Sequence, residues 1–252
     1  MIEPVKNKIG FGTAPLGNMF RDIPEEEALA TVGAAWDEGI RYFDTAPFYG
    51  AGLAEERLGQ VLSQKSRDEF LLSTKVGRLV EEEPEQKSGL FEYGHQKKVI
   101  TDYSIELALD MEEAAPTISL SATQYTLLKH ERALQRMMLK AQEQGAKIVV
   151  GGPFNSGALL GGDHFDYAEI PPHIKERVAS LTEIAQRHEV SLKDAAVQFS
   201  AAHPAVAAVI PGSSRPERIK EDLRAATAQI PAAFWQELLE NELISSEAPL
   251  PS

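Results

Sequence analysis

Short apolar runs alternate with stretches of helical periodicity through most of the 252-residue chain, the pattern of repeated strand and helix units. Six strands are predicted, at residues 9–12, 42–44, 70–75, 118–124, 148–151 and 207–210. Helices are predicted at 24–38, 131–144, 175–188, 192–201, 216–226 and 232–241. In the first, Pro24 followed by Glu25, Glu26 and Glu27 suits a helix N-terminus, Leu29, Val32 and Trp36 share a face, and Gly39 marks the stop. In the second, Leu134, Met137, Met138 and Ala141 fall on one apolar stripe and Gly145 stands just past its end, so the methionines read as core rather than as a ligand surface. No low-complexity linker divides the chain and no internal repeat is visible. The fold class is α/β.

The spacing holds one irregularity. Strand starts fall near residues 9, 42 and 70, about thirty apart, and the next waits until 118. The interval contains a polar, acidic loop, "VGRLVEEEPEQKSGLFEYGHQKKVITDYS", then a helix-like "IELALDMEEAA", with no strand between them.

Composition narrows the class of function. A chain that is 43% hydrophobic and 25% charged suits one soluble domain with a sizeable core. Its 25 Lys and Arg against 38 Asp and Glu give a net charge of −13, spread along the chain apart from Glu81, Glu82 and Glu83, so neither nucleic acid nor an anionic membrane is an expected partner. The absence of cysteine excludes a disulfide framework, a thiol nucleophile and a thiolate metal site. The start "MIEPVKNKIGFGTAP" has no basic region leading into an apolar core, and no window is apolar for long enough to span a bilayer; a cytoplasmic address is expected. No His, Asp and Glu cluster has metal-ligand spacing, and no GxSxG elbow marks a serine hydrolase.

The chemistry gathers where predicted strands end. "RYFDTAPFYG" closes an apolar run on Asp44 and places Tyr49 five residues on, and "FLLSTKVG" ends on Lys75. A lysine at the end of an apolar strand is expensive to bury alone, and Asp44 on the neighbouring strand supplies an anion. In a parallel sheet or barrel the strands' C-terminal ends share one face, so Asp44, Tyr49 and Lys75 converge there. A phenol titrates near pH 10, and an adjacent cation is expected to bring Tyr49 closer to the working range of an acid–base group. A lone Asp or Tyr at a strand end usually has no function, and an Asp–Lys pair is often only a buried ion pair; three such residues at this spacing shift the balance.

These segments, "GFGTAPLG", "YFDTAPFYG" with "EERLGQVL" after it, "LLSTKVG", "SATQYTLL" and "VIPGSSRPERIKEDL", taken together and in this order, closely resemble the aldo-keto reductases over nearly the whole chain. "GTAPLGNMF", "DTAPFYG" and "GGPFNSGAL" are most similar to the bacterial branch of sugar 1-dehydrogenases and pyridoxal 4-dehydrogenase. The resemblance implies a (β/α)8 TIM barrel, here incomplete with about six strands readable, that holds a nicotinamide nucleotide without a Rossmann domain; no GxGxxG is present. It implies that Tyr49 is the general acid–base residue, that Lys75 tunes it and that Asp44 holds Lys75. Gln124 matches the position that holds the nicotinamide carboxamide, against the plainer reading of a polar residue at a strand end. "GGPFNSGALLGG" matches the loop over the pyrophosphate, with Phe154 and Ser156 as contacts. Gly212, Ser213, Arg218, Glu221 and Asp222 fall where the family grips the adenosine end, although Arg218 fits a solvated surface position equally well. Gly212 stands where many NADPH-dependent members carry lysine, and Asp222 adds a negative charge, so the cofactor is NAD or NADP with a modest preference for NAD. Gly151 occupies the place of the aromatic that stacks on nicotinamide in many members.

The family pattern also breaks. It implies a histidine at the end of a fourth strand and a cofactor contact at the end of a fifth, and this sequence has neither. The motifs run to Ser104 and resume at Ile105 with what resembles the helix after the fifth strand, so one barrel domain over residues 1–252 with an internal gap at 104/105 is expected. His95, His130, His164, His173, His188 and His203 lie in loops or helices, and none is assigned the missing role. Either the chain is shortened there or a segment of the protein is absent from the sequence; the second is favoured, because removing two inner strands leaves barrel edges without neighbours. The leading function is an NAD(P)-dependent oxidoreductase interconverting a small polar aldehyde, lactol or ketone with its alcohol or lactone. The alternative is a non-catalytic, nucleotide-binding, redox-responsive partner subunit of the same fold.

Overall fold

The computed structural model describes residues 5–75, 78–86, 89–101 and 118–251, and all six predicted strands are present within them. The chain divides into two compact units. One comprises Gly10–Pro116 and Gly212–Lys220, the other Met1–Ile9, Thr117–Pro211 and Glu221–Ser252.

In the first unit β1 (Phe11–Gly12), β2 (Tyr42–Asp44) and β3 (Leu71–Ser73) form a parallel sheet in that order. Its register sets Gly12 beside Asp44 and Asp44 beside Ser73, lining up the three strand ends. α1 (Glu25–Asp37) starts behind Pro24 with three glutamates in its first turn, which suits the helix dipole, and buries Ala28, Val32, Ala35 and Trp36. Gly39, at φ 88°, turns the chain from α1 into β2, a backbone angle that favours glycine. The core is aromatic: Phe43 meets Phe11 and Phe70 edge-on, each at 6.3 Å, and Trp36 packs on Phe70 at 6.1 Å. α2 (Leu53–Leu62) was not among the predicted helices; Gly59 in its interior weakens the helical pattern.

The segment read as an acidic loop is instead an antiparallel hairpin, β4 (Arg78–Pro84) with β5 (Lys97–Thr101). The glutamate run that argued for a loop is balanced across the ladder. Lys97 pairs with Glu82 at 3.0 Å, and Lys98 pairs with Glu81 and Glu83, each at 3.0 Å.

In the second unit β6 (Ile118–Ala122), β7 (Lys147–Gly151) and β10 (Val206–Ile210) form a parallel sheet with β7 in the centre. The helix predicted at 131–144 is interrupted: α3 (Glu131–Ala133) and α4 (Leu139–Gln144) flank a π-helical turn, Leu134–Met138. Gly145 ends the run at φ 68°, as its position predicted. A short hairpin, β8 (His164–Phe165) with β9 (Ala168–Glu169), follows β7. α5 (Pro172–Arg187), α6 (Leu192–Ala202) and α8 (Ala232–Glu240) follow the predicted helices closely, as does α7 (Pro216–Ala225), whose residues 216–220 are counted with the first unit. Phe199 of α6 stacks on Tyr125 at 5.5 Å and on Trp235 at 6.5 Å at the centre of this unit's core.

The expected junction at Ser104 and Ile105, and the helix-like residues 105–115, lie outside the described residues. Of the parallel strands, the last before it and the first after it are unusually bare. Among the described residues β3 and β6 each form one edge of their sheets, with Leu71, Leu72 and Leu120 exposed at 41%, 43% and 37%. Parallel strands are normally covered on both faces, as Phe43, Val149 and Val150 are here. Phe43→Ala is therefore expected to lower the urea unfolding free energy by about 3–5 kcal/mol. Leu72→Lys, one strand away, should change it by no more than about 0.5 kcal/mol in a 252-residue chain that lacks a segment at 104/105. A loss of several kcal/mol in Leu72→Lys would mean that another part of the protein covers β3.

Candidate active site

Asp44 ends β2 and is 3% exposed. A carboxylate is stable there only with partners, and it has two: Lys75 Nζ donates to Oδ1 at 2.8 Å and Ser73 Oγ donates to Oδ2 at 2.7 Å. The Asp44 to Ser73 register places the end of β3 alongside, and Lys75, two residues on, also donates to the Thr45 carbonyl at 2.9 Å.

Tyr49 sits on the turn between β2 and α2, and three glycines fix that turn. A Cβ on Gly17 would lie 2.5 Å from the Tyr49 carbonyl carbon, one on Gly50 would lie 2.4 Å from the Gly17 oxygen, and one on Gly94 would lie 2.6 Å from the Gly50 Cα. No side chain fits at these approaches, and Gly50 also holds φ 68°. His95 N donates to the Gly50 oxygen at 3.0 Å, fastening the loop between β4 and β5 to the same turn. From that loop Phe91 packs 6.0 Å from the Tyr49 ring and 5.3 Å from Phe48, while the Arg78 guanidinium lies 4.0 Å over Phe48. Sequence reasoning missed this aromatic wall, because it depends on a hairpin read as a loop.

The structure thus brings Asp44, Lys75 and Tyr49 together, with one correction to their electrostatics. The Lys75 ammonium lies over the Tyr49 ring, 4.9 Å from its centre, and its charge is engaged by Asp44 and the Thr45 carbonyl. Burial, with the Asp44 charge in second place, raises the Tyr49 phenol well above its ordinary value instead of lowering it. At neutral pH Tyr49 is a protonated phenol, the form that donates a proton.

The other expected contacts fall into groups. In the first unit Gly212 pairs with Gly12, next to Asp44 in register, and a Cβ on Gly212 would press on Pro15 at 3.1 Å. Ser213 is buried in a local turn, its Oγ donating to the Arg215 oxygen at 3.1 Å and accepting from Arg215 N at 3.3 Å. Arg218 is exposed in the first turn of α7. Arg21, which the sequence did not single out, is held by Glu27 at 2.6 Å and reaches Ser214 Oγ at 3.2 Å.

In the second unit Gln124 is exposed just beyond β6, its amide 3.3 Å from Thr123 Oγ1. Phe154 is half-buried, and Ser156 Oγ accepts from Tyr167 N at 3.0 Å. Between them lies Asn155, fully buried and also missed: it accepts from Thr126 Oγ1 at 2.6 Å and donates to Asp166 at 2.9 Å and to the Thr123 carbonyl at 3.3 Å. It ties the loop after β7 to the segment carrying Gln124, and an asparagine in a Gly-rich loop gives no sequence signal of that kind. Lys193 pairs with Glu221 and Asp222, each at 2.8 Å, so those two carboxylates share a cation. His95, His130 and His188 have partners of their own in Glu56, the Thr126 carbonyl and Glu237. Among the described residues no group of His, Asp and Glu could hold a metal ion, and no helix is long and apolar enough to cross a membrane.

The sequence model of the Aldo/keto reductase family matches residues 8–98 and 96–241, and the chain belongs to that family of oxidoreductases. It is 31% identical to D-threo-aldose 1-dehydrogenase of a Pseudomonas species and 29% identical to pyridoxal 4-dehydrogenase of Microbacterium luteolum, with 94% of each chain covered in both comparisons. Both are of the branch that the motifs resemble. A solved glycerol dehydrogenase from Gluconobacter oxydans superposes with a TM-score of 0.69 at 17% identity, covering 100% of this chain and 95% of that one. The fold is of the (β/α)8-barrel class, incomplete here with six parallel strands among the described residues.

The raised Tyr49 phenol has a measurable consequence. Tyrosinate absorbance of the native protein and of Tyr49→Phe should coincide up to about pH 11, because Tyr49 keeps its proton past the ordinary phenol value near 10. Unfolding releases that proton, so Tyr49 contributes stability below pH 10 that is lost as pH rises above it. A native phenol missing from Tyr49→Phe that titrates at or below pH 10 would contradict this environment.

Proposed function

We propose that this chain is a nicotinamide-dependent oxidoreductase that interconverts a small polar aldehyde, lactol or ketone with its alcohol or lactone. The observation that carries the reading is a protonated, half-buried Tyr49 beside the Asp44 and Lys75 ion pair. In the reductive direction Tyr49 donates its proton to the substrate oxygen, and in the oxidative direction it takes one back. Lys75, held by Asp44, keeps a cation beside the phenol as it gives up its proton. Phe91, buried against the Tyr49 ring, packs on one side of the phenol. A bound nicotinamide nucleotide supplies the hydride chemistry. The relatives act, by their names, on aldoses and on pyridoxal, which supports a small polar carbonyl or sugar as substrate.

Each unit, taken by itself, carries residues that suit part of such a cofactor. Gln124 is exposed and offers an amide for the carboxamide, and Ser156 keeps its hydroxyl proton for a phosphate oxygen because its Oγ accepts from Tyr167. Phe154 flanks that serine. Arg218 and the N-terminus of α7 offer positive charge to phosphate. Three features favour NAD over NADP. Gly212 brings no cation and has Pro15 packed against it, Ser213 has spent its proton on Arg215, and Asp222 places a carboxylate where the family grips the adenosine end. Arg218 opposes them. A cytoplasmic address and a single barrel domain over residues 1–252 complete the proposal, with an internal segment missing at 104/105. The bare outer strands support that gap, as does an alignment of 310 positions, longer than the 252-residue chain. A non-catalytic partner subunit has in its favour only the missing histidine.

Tyr49→Phe should reduce turnover of NAD and a D-threo-aldose by at least about 10²-fold while leaving nucleotide affinity nearly unchanged. Full turnover in that variant would remove Tyr49 from the mechanism. Lys75→Met should lower activity and move the pH optimum upward, because Asp44 is left as an uncompensated negative charge beside the phenol. Fluorescence titration should give tighter binding of NADH than of NADPH. NADPH binding tighter by tenfold, about 1.4 kcal/mol, would assign Arg218 to a phosphate site and defeat the argument from Gly212.

A further inference from the structure

The ion pair at the end of β2 does not stand alone. Ser73 Oγ lies 2.7 Å from Asp44 Oδ2 and 3.0 Å from the Tyr42 hydroxyl, and Lys75 Nζ lies 2.8 Å from Asp44 Oδ1. The directions of these bonds follow from proton inventory. An ionised carboxylate only accepts, so the single Ser73 hydroxyl proton goes to Asp44. Ser73 then has lone pairs left and no second proton, so the Tyr42 hydroxyl is the donor between those two. Tyr42 is 7% exposed, and burial raises its phenol above the ordinary value, so the proton is there to give. The result is a one-way chain: Tyr42 to Ser73, Ser73 to Asp44, and Lys75 to the opposite oxygen of the same carboxylate.

We infer that Ser73 and Tyr42 are positioning residues for the proton-transfer site, setting the plane of the Asp44 carboxylate so that Oδ1 faces Lys75 and Lys75 stays over Tyr49. The register supplies the reason that these two residues are available. Tyr42 and Asp44 are two apart on β2, so they point to one face, and Ser73 lies across from Asp44 on β3. Without the serine hydroxyl, Oδ2 of a buried carboxylate loses its donor and the group turns to share Lys75 between both oxygens, drawing the ammonium away from the tyrosine ring. Without the Tyr42 hydroxyl, the serine rotor loses the bond that holds its proton toward Asp44, a smaller loss. The inference rests on the reading of Tyr49 as the acid–base group.

Two measurements on the whole protein test it separately from that reading. In crystal structures of the parent chain and Ser73→Ala, the Asp44 carboxylate should rotate and Lys75 should leave its place over Tyr49 in the variant. In kinetics with NAD and a D-threo-aldose, Ser73→Ala should lose about tenfold in kcat with nucleotide affinity unchanged. Its pH optimum should move in the same direction as that of Lys75→Met. Ser73→Thr, which keeps the hydroxyl, should restore the profile, and Tyr42→Phe should lose less than Ser73→Ala. The double variant Ser73→Ala with Lys75→Met should be no worse than Lys75→Met alone, because the serine acts through the lysine. An Asp44 carboxylate and Lys75 that hold their places in Ser73→Ala overturn the inference, as does a pH profile that Ser73→Ala leaves unmoved while Tyr49→Phe is inactive. A fully active Tyr49→Phe overturns the reading of Tyr49 instead, and the crystal structures still decide whether Ser73 orients the pair.

Discussion

The arrangement depends on one buried charge. Asp44 is 3% exposed at the end of the central strand of its sheet, and a carboxylate taken out of water costs several kcal/mol unless opposite charge and hydrogen bonds replace the lost hydration. Both replacements come from the strand next to it. The parallel register puts Ser73 level with Asp44, and Lys75 follows where the chain leaves β3. A shift of one residue in that register would turn Ser73 to the other face and strand the carboxylate, so the same contacts that make a chemical site also select the pairing.

Tyr49 is held differently, by backbone rather than by side chains. Gly17, Gly50 and Gly94 let three segments approach at distances that no Cβ permits, and that clamp sets the phenol beside the ion pair. The turn also half-buries the ring, and that burial, with Asp44 in second place, keeps the phenol protonated. A phenol raised in this way is ready to donate and reluctant to ionise, so in the proposed reaction the neighbouring ammonium matters most when the proton leaves.

Much of this is legible in the sequence because it is local. Apolar runs ending in "FDTAP" and "LLSTK" mark β2 and β3 with their chemistry attached, and Gly39 and Gly145 mark helix ends through their backbone freedom. What stayed hidden is non-local. The glutamate run reads as a loop until Lys97 and Lys98 are known to lie across from it. Asn155 reads as a loop residue until Thr126 and Asp166 meet it, and Lys193 carries no hint of Glu221 and Asp222. The direction of the Tyr49 shift is non-local as well: spacing shows that a cation is near, but not that it lies over the ring while burial, and after it Asp44, raises the phenol.

The central claim is that the Asp44 charge organises the site, and Asp44→Asn tests it most directly. The substitution keeps size and an acceptor oxygen but removes the charge that holds Lys75 and places an amide where Ser73 or Lys75 now donates. Turnover in the proposed oxidoreductase reaction, measured beside nucleotide affinity, should fall by at least about 10²-fold while affinity changes little. An Asp44→Asn protein that turns over at the parent rate would contradict the account.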